Sequence, residues 1–198
     1  MLAKRLLAIG AAMPLAYFVS LFGVGSLHTG YSHTAQAPSD LGAHGAPFAS
    51  LFNAGLGIAA ACGFAAALGL FLGFRRAGAG TYVSLMTGLS LALLSFALLM
   101  SAIFPLPDPR HYGFNLYFAG LLTPLFGVLA LRGVKDAGGA RVIVLLGLIA
   151  SFAIVLAIFG LFGAADETNS GLWVRALAAA NFGTIGFLCW TVLQRQPD

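Results

Sequence analysis

Hydrophobic positions along this chain fall into six long, almost unbroken runs, near 6–27, 47–74, 82–104, 112–131, 142–162 and 172–193. Each is about as long as the ~20 helical residues needed to cross the ~30 Å hydrocarbon layer of a bilayer. The runs are continuous, whereas a barrel strand alternates apolar and polar positions over about ten residues. The pattern therefore predicts an all-α, polytopic integral membrane protein: a single membrane domain over 1–198, folded as a six-transmembrane-helix bundle. Lys4 and Arg5 precede the first run, as they would in a secretion signal. The run exceeds the ~7–15 apolar residues of such a signal, so a retained helix is expected.

Composition changes the picture only by excluding water as the main solvent. The 198 residues are 60% hydrophobic and 8% charged, against roughly a quarter charged in soluble domains. Charge distribution adds more. Lys4 and Arg5 precede the first run, Arg75 and Arg76 follow the second, Arg132, Lys135 and Arg141 lie around the fourth connection, and Arg195 follows the sixth. Only Arg110 and Arg175 lie on the alternate set of connections. Basic residues in short loops mark the cytoplasmic side. Both termini are thus expected in the cytoplasm, the protein in the cell (inner) membrane, and segment 28–46 in an extracytoplasmic loop. The net charge of +4 is read as a topology signal, so no nucleic acid partner is expected.

Small residues suggest how the helices pack. Gly55, Ala59, Cys62, Ala66, Gly69 and Gly73 recur every three or four residues in the second run, which keeps them on one helix face. Such stripes let helix backbones approach closely in lipid, placing the second helix in the middle of the bundle. Pro14 and Pro124 fall inside helices, where each removes a backbone donor and favours a kink. Cys62 and Cys189 lie within the hydrophobic runs and are expected as packing residues without a disulfide. Residues 1–104 and 112–193 share no motif that would mark an internal repeat.

The candidate chemistry collects outside the basic loops. His28, His33, His44 and His111 all fall on the expected outer side. Pro38-Ser39-Asp40 looks like a helix start with Ser39 as a cap, and Asp40 and His44 are four apart, on one face of a turn. Asn53 lies about two turns inside the second helix. Asp108 and His111 flank the start of the fourth, with Asn115 one turn deeper. Arg175 stands in the first turn of the sixth, and Asn181 lies roughly 9 Å further in at ~1.5 Å per residue. Polar groups in hydrocarbon usually face the bundle interior and find partners. Asn53, Asn115 and Asn181 are thus expected either to line a cavity beneath the loop or to tie helices together. Tyr17, Ser20 and Ser101 lie at compatible depths.

Tyr31-Ser32, Ser39-Asp40-Leu41-Gly42, Ala46-Pro47, Asn53, and Phe104-Pro105 followed by Asp108 and His111 resemble a widespread family of microbial multi-pass proteins known as domain of unknown function 998. The resemblance spans nearly the whole chain. It implies the six-helix architecture and an outer location for the motif, with no established reaction. Asp40 stands where that family more usually has glutamate.

Three functional readings remain open on the sequence. An outward polar pocket would bind or pass a small amphiphile or lipid headgroup, with His44, Asn53, Asp108, Asn115, Arg175 and Asn181 as contacts and membrane lipids as partners. Alternatively, Ser39, Asp40 and His111 would serve a hydrolase-like enzyme acting on a lipid-like substrate, since nucleophilic and acid–base catalysis need a hydroxyl, a carboxylate and an imidazole. A metal-assisted version would draw on His44, His111 and Asp40, although no His-x-x-x-His or His-x-His pair is present. In the third reading the chain is a non-catalytic scaffold subunit, and these residues are structural hydrogen-bonders.

Overall fold

A computed structural model describes residues 1–196, apart from the side chains of residues 114 and 115. Among the described residues there is no strand, and six helical spans are long and apolar enough to cross a membrane. The first span is α1 (Leu2–Ala11) and α2 (Met13–Leu27), joined at Ala12. Pro14 has no N–H to offer the carbonyl one turn back, which is why the helix is interrupted there. Next come α3 (Ala49–Arg76) and α4 (Thr81–Ile103). The fourth span is a 3-10 stretch, Pro109–Phe118, running into α5 (Ala119–Ala130). Finally α6 covers Gly138–Ile158 and α7 Ser170–Leu193.

The spans agree with the hydrophobic runs to within about four residues at their ends. The first helix begins at Leu2 because Lys4 and Arg5 are themselves good helix formers. The first 10 of the 25 residues of the fourth span are 3-10 rather than α, which the apolar pattern alone does not distinguish. Gly113 within it takes a left-handed φ of 54°, which any continuous right-handed helix excludes. A Cβ added there would lie 2.6 Å from the Ala97 backbone.

The small-residue stripe on α3 packs against the first span. A Cβ on Gly55 would fall 1.9 Å from Ser20 Oγ, and one on Gly69 3.0 Å from the backbone nitrogen of Leu7. Ala59 and Ala66 between them are fully buried. A second small face of α3 meets α4, where a Cβ on Gly63 would lie 2.2 Å from Ser95 Oγ. With no hydrophobic drive between helices in lipid, such close approach supplies the packing attraction. By contrast α6 is peripheral, touching mainly α5 and α7.

The two ends of the bundle differ in chemistry. At one end Arg195 Nη2 donates to the Asp136 carbonyl at 2.9 Å, Gln196 Nε2 to Gly73 at 3.1 Å, and Arg75 Nη1 to Ala79 at 3.2 Å. This basic end gathers the start of α1 and the end of α7. At the other end the segment 28–46 meets the start of α7 and the connection 104–111, joined by Leu172 N donating to Thr34 O at 2.9 Å and His44 N donating to Leu106 O at 2.8 Å. All four histidines belong to this second end.

Candidate ligand cavity

Segment 28–46 folds back over the bundle and is fastened to it at several points. Arg175, on the first turns of α7, is buried, and its Nη1 donates to the carbonyls of Gln36 and Gly171, both at 2.8 Å. Its Nη2 donates to the Tyr31 hydroxyl, which in turn donates to the Ala37 carbonyl at 2.9 Å. Hydrogen bonds to charged donors contribute about 1.5–3 kcal/mol each, so this guanidinium is a strong fastener for the loop. Ser170 Oγ adds a bond to Ala35 O at 3.0 Å. Around the Tyr31 ring stand His28, stacked at 5.7 Å between centroids, and His33, edge-on at 5.1 Å. Burial, and then the nearby Arg175 charge, push the His33 pKa below its ordinary value.

The motif residues hold the loop's shape. Pro38–Gly42 forms a 3-10 turn, and Asp40 Oδ2 accepts from the Ala37 amide at 2.9 Å. The capping expected of Ser39 is thus performed by Asp40, reaching back three residues. Asn53 Nδ2 donates to Gly42 O at 3.0 Å and so pins the turn to α3. Gly42 is required by that contact, since a Cβ there would meet Asn53 Oδ1 at 2.2 Å.

Beneath the loop lies a cavity of about 400 Å³, bounded by α2, α3, α4, the 3-10 stretch, α5, α6 and α7. Its roof is Ala37, Pro38 and Ser39, and most of its wall is aliphatic or aromatic. The polar contributors are Tyr17, Ser39, Ser101, His111, Tyr117 and Asn181, joined at the rim by Tyr112. His111 is buried, and its Nδ1 lies 3.0 Å from the Phe104 carbonyl. A carbonyl can only accept, so Nδ1 carries the proton, and in the neutral ring Nε2 keeps a free lone pair. Ser101 Oγ donates its one proton to the His111 carbonyl, so the Tyr117 hydroxyl is the donor in its contact with Ser101.

Asn181 serves the fold and the cavity together. Pro124 lacks the N–H that would bond Gly120 O, four residues back in α5. Asn181 Nδ2 supplies the missing donor at 3.1 Å. The proline and the asparagine thus form one unit across the α5–α7 interface.

The other sequence candidates lie elsewhere. Asp108 caps the 3-10 stretch and holds Arg110 through Nε at 3.0 Å and Nη2 at 2.7 Å, with Arg110 stacked 3.8 Å over the Phe104 ring. Its hydrogen bonds from Arg110 lower the Asp108 pKa to about 2. The His44 side chain is exposed. Asn115 lies outside the residues whose side chains are described. Among the described residues no three His, Cys, Asp or Glu side chains gather where they could hold a metal ion. The grouping of His44, His111 and Asp40 as metal ligands is therefore not what the geometry presents, because Asp40 is occupied within its own turn and His111 points into the bundle. Ser39 and His111 share the cavity wall, while Asp40 and Arg175 are turned toward the loop.

Tyr117 is the wall residue that sequence reasoning missed. It stands six residues beyond His111, two turns of a 3-10 helix at three residues per turn, and that spacing has no meaning when the stretch is read as α.

A six-span, all-α, multi-pass membrane protein with a largely apolar cavity under a fastened loop is the class these features define. The chain belongs to the family described as protein of unknown function DUF998, whose model matches residues 10–191. No curated protein and no solved structure matches it.

Proposed function

We propose that this is an amphiphile-binding protein of the cell (inner) membrane, with its basic end and both termini in the cytoplasm and its cavity at the extracytoplasmic side. The orientation rests on the concentration of lysine and arginine at one end of the bundle, by the positive-inside bias. The binding reading is carried by one observation: a cavity of about 400 Å³ with apolar walls and a few convergent polar atoms, roofed by an ordered loop. Pockets for small molecules are of this kind, ~300–1,000 Å³ and mostly apolar. Membrane lipids are the natural source of such a ligand.

The test is lipidomics on protein purified from its own membrane beside an Ala178→Leu variant, whose added side chain projects from the cavity wall. Wild type is expected to carry about one amphiphile per chain and the variant far less. Equal lipid content in the two would remove the reading.

A second reading, an outer-face hydrolase-like enzyme, draws support from Ser39 and His111 lining the same cavity. Ser39 Oγ would attack an ester carbonyl while His111 Nε2 takes its proton, and the imidazole would later return that proton to the leaving alcohol. The group behind His111 is the Phe104 carbonyl, which orients the ring but supports an imidazolium less well than a carboxylate. Ser39→Ala separates the two readings: under hydrolysis it abolishes turnover of an ester amphiphile, whereas under simple binding no turnover exists to lose.

A further inference from the structure

The charge of the cavity wall bears on what the cavity holds, and this inference rests on the binding reading above. No Asp, Glu, Lys or Arg is among the described residues that line it. Arg175 directs both terminal nitrogens to loop oxygens and is not on the wall. What the wall does offer is unspent neutral hydrogen-bonding capacity. Among the described residues the Tyr17 hydroxyl makes no hydrogen bond although the residue is buried, and Ser39 Oγ, on the roof, makes none with them either. His111 Nε2 offers a lone pair, and the Tyr117 oxygen keeps its acceptor sites.

An isolated charge in such a site lacks a countercharge and loses its water, which is far costlier than burying a neutral group that finds hydrogen bonds. At the rim, Tyr112, Phe118 and Phe159 are 58%, 52% and 72% exposed. The Phe118 and Phe159 rings stack at 6.4 Å across the gap between the fourth span and the end of α6. The cavity therefore reaches the surface through aromatic side chains near a span end, the depth at which aromatic residues sit at the bilayer interface.

We infer that the occupant is an uncharged, single-chain amphiphile with a hydroxyl- or ester-type head, drawn from the surrounding leaflet between the fourth and fifth spans. A volume of about 400 Å³, at the lower end of the ~300–1,000 Å³ range, suits one chain better than two. The hydroxyl of Tyr17, the Ser39 hydroxyl and His111 Nε2 would receive the head.

Three probes with one oleoyl chain and different heads test this on the full-length protein in nanodiscs: 1-monooleoylglycerol, oleoyl-lysophosphatidylcholine and oleoyl-lysophosphatidic acid, read by equilibrium binding at pH 8. The neutral glyceride is expected to bind roughly tenfold or more tightly than either charged species. Tyr17→Phe is expected to weaken it several-fold; since that hydroxyl makes no hydrogen bond among the described residues, the ligand-free melting temperature should be unchanged. Binding of either lysophospholipid as tight as the glyceride would overturn the neutrality inference and leave the amphiphile reading standing. If none of the three binds, and cross-competition with extracted native lipid also shows nothing, the amphiphile reading itself falls.

Discussion

The interface between α3 and α4 and the gap between α5 and α6 belong to the same bundle but are packed differently. At the first, a Cβ on Gly88 would lie 2.8 Å from the Ala67 carbonyl, and one on Gly63 would strike Ser95. The polar groups there are consumed locally: Ser95 Oγ donates to Leu91 O at 2.8 Å and Thr87 Oγ1 to Val83 O at 2.7 Å. The second opens onto the cavity of about 400 Å³, whose wall also carries the Tyr17 and Ser39 hydroxyls, neither of which makes a hydrogen bond among the described residues. Close packing with satisfied polar groups gives a scaffold that cannot shift without cost. Loose packing with unsatisfied polar groups is kept where something else is to be accommodated. On the proposed reading, the tight α3–α4 interface serves stability, while the cavity that α3 and α4 line together with α2, α5, α6, α7 and the 3-10 stretch serves binding.

Substitutions that exchange these properties would break the comparison. The largest expected effect is Gly88→Val, which forces a branched side chain onto the Ala67 carbonyl and is expected to cost about 3 kcal/mol. Gly183→Val, on a face of α7 with nothing within 4 Å of the added Cβ, should stay within about 0.5 kcal/mol. Denaturant midpoints in a common detergent would compare them, and equal losses would mean that the two sides are not built differently after all.

Next in size is Arg175→Met, expected to destabilise by about 2–3 kcal/mol by removing the guanidinium bonds to Gln36, Gly171 and Tyr31. Lysine at the same site should restore little, because a single ammonium cannot reproduce the fork. Limited proteolysis across 31–37 reads this directly: the variant loop should be cut much faster while the spans stay intact. Asp40→Ala should cost about 1 kcal/mol, the value of a lost cap, seen as faster amide exchange at Ala37.

How much of this was legible in advance follows from where each signal lives. Span number and approximate ends come from hydrophobic length alone, a property of the chain against its solvent. The stripe from Gly55 to Gly73 was readable because helical spacing fixes which residues share a face. Partners across the bundle were not. Nothing local says that Asn181 answers the carbonyl freed by Pro124, or that Arg175 is spent on loop oxygens instead of a ligand. Tyr117 was hidden for another reason: its place on the wall depends on a 3-10 stretch, and apolar composition does not separate that from α. Asp40 was recognised as part of a turn, but its reach to Ala37 rather than toward His44 is a matter of one rotamer.

The smallest expected effect concerns acid. Asp108 has its pKa lowered to about 2 by Arg110, from roughly 3.9 in an unfolded chain. A lowered carboxyl pKa gives stability that is present above about pH 4 and is lost as pH falls toward 2. The pair is exposed, so the contribution is small. Asp108→Asn should flatten the corresponding part of the stability–pH curve and leave neutral pH nearly unchanged. An unaltered acid limb would show that the pair contributes nothing.

The most direct test of the cavity as a ligand site is photolabelling with a diazirine-bearing monoacylglycerol in native membranes, followed by peptide mapping. Labels are expected on cavity residues such as Leu98, Leu121, Val155 and Leu177, and unlabelled monoacylglycerol should suppress them. Labels confined to outward lipid-facing positions such as Leu15 and Ile58, with no competition, would contradict the account.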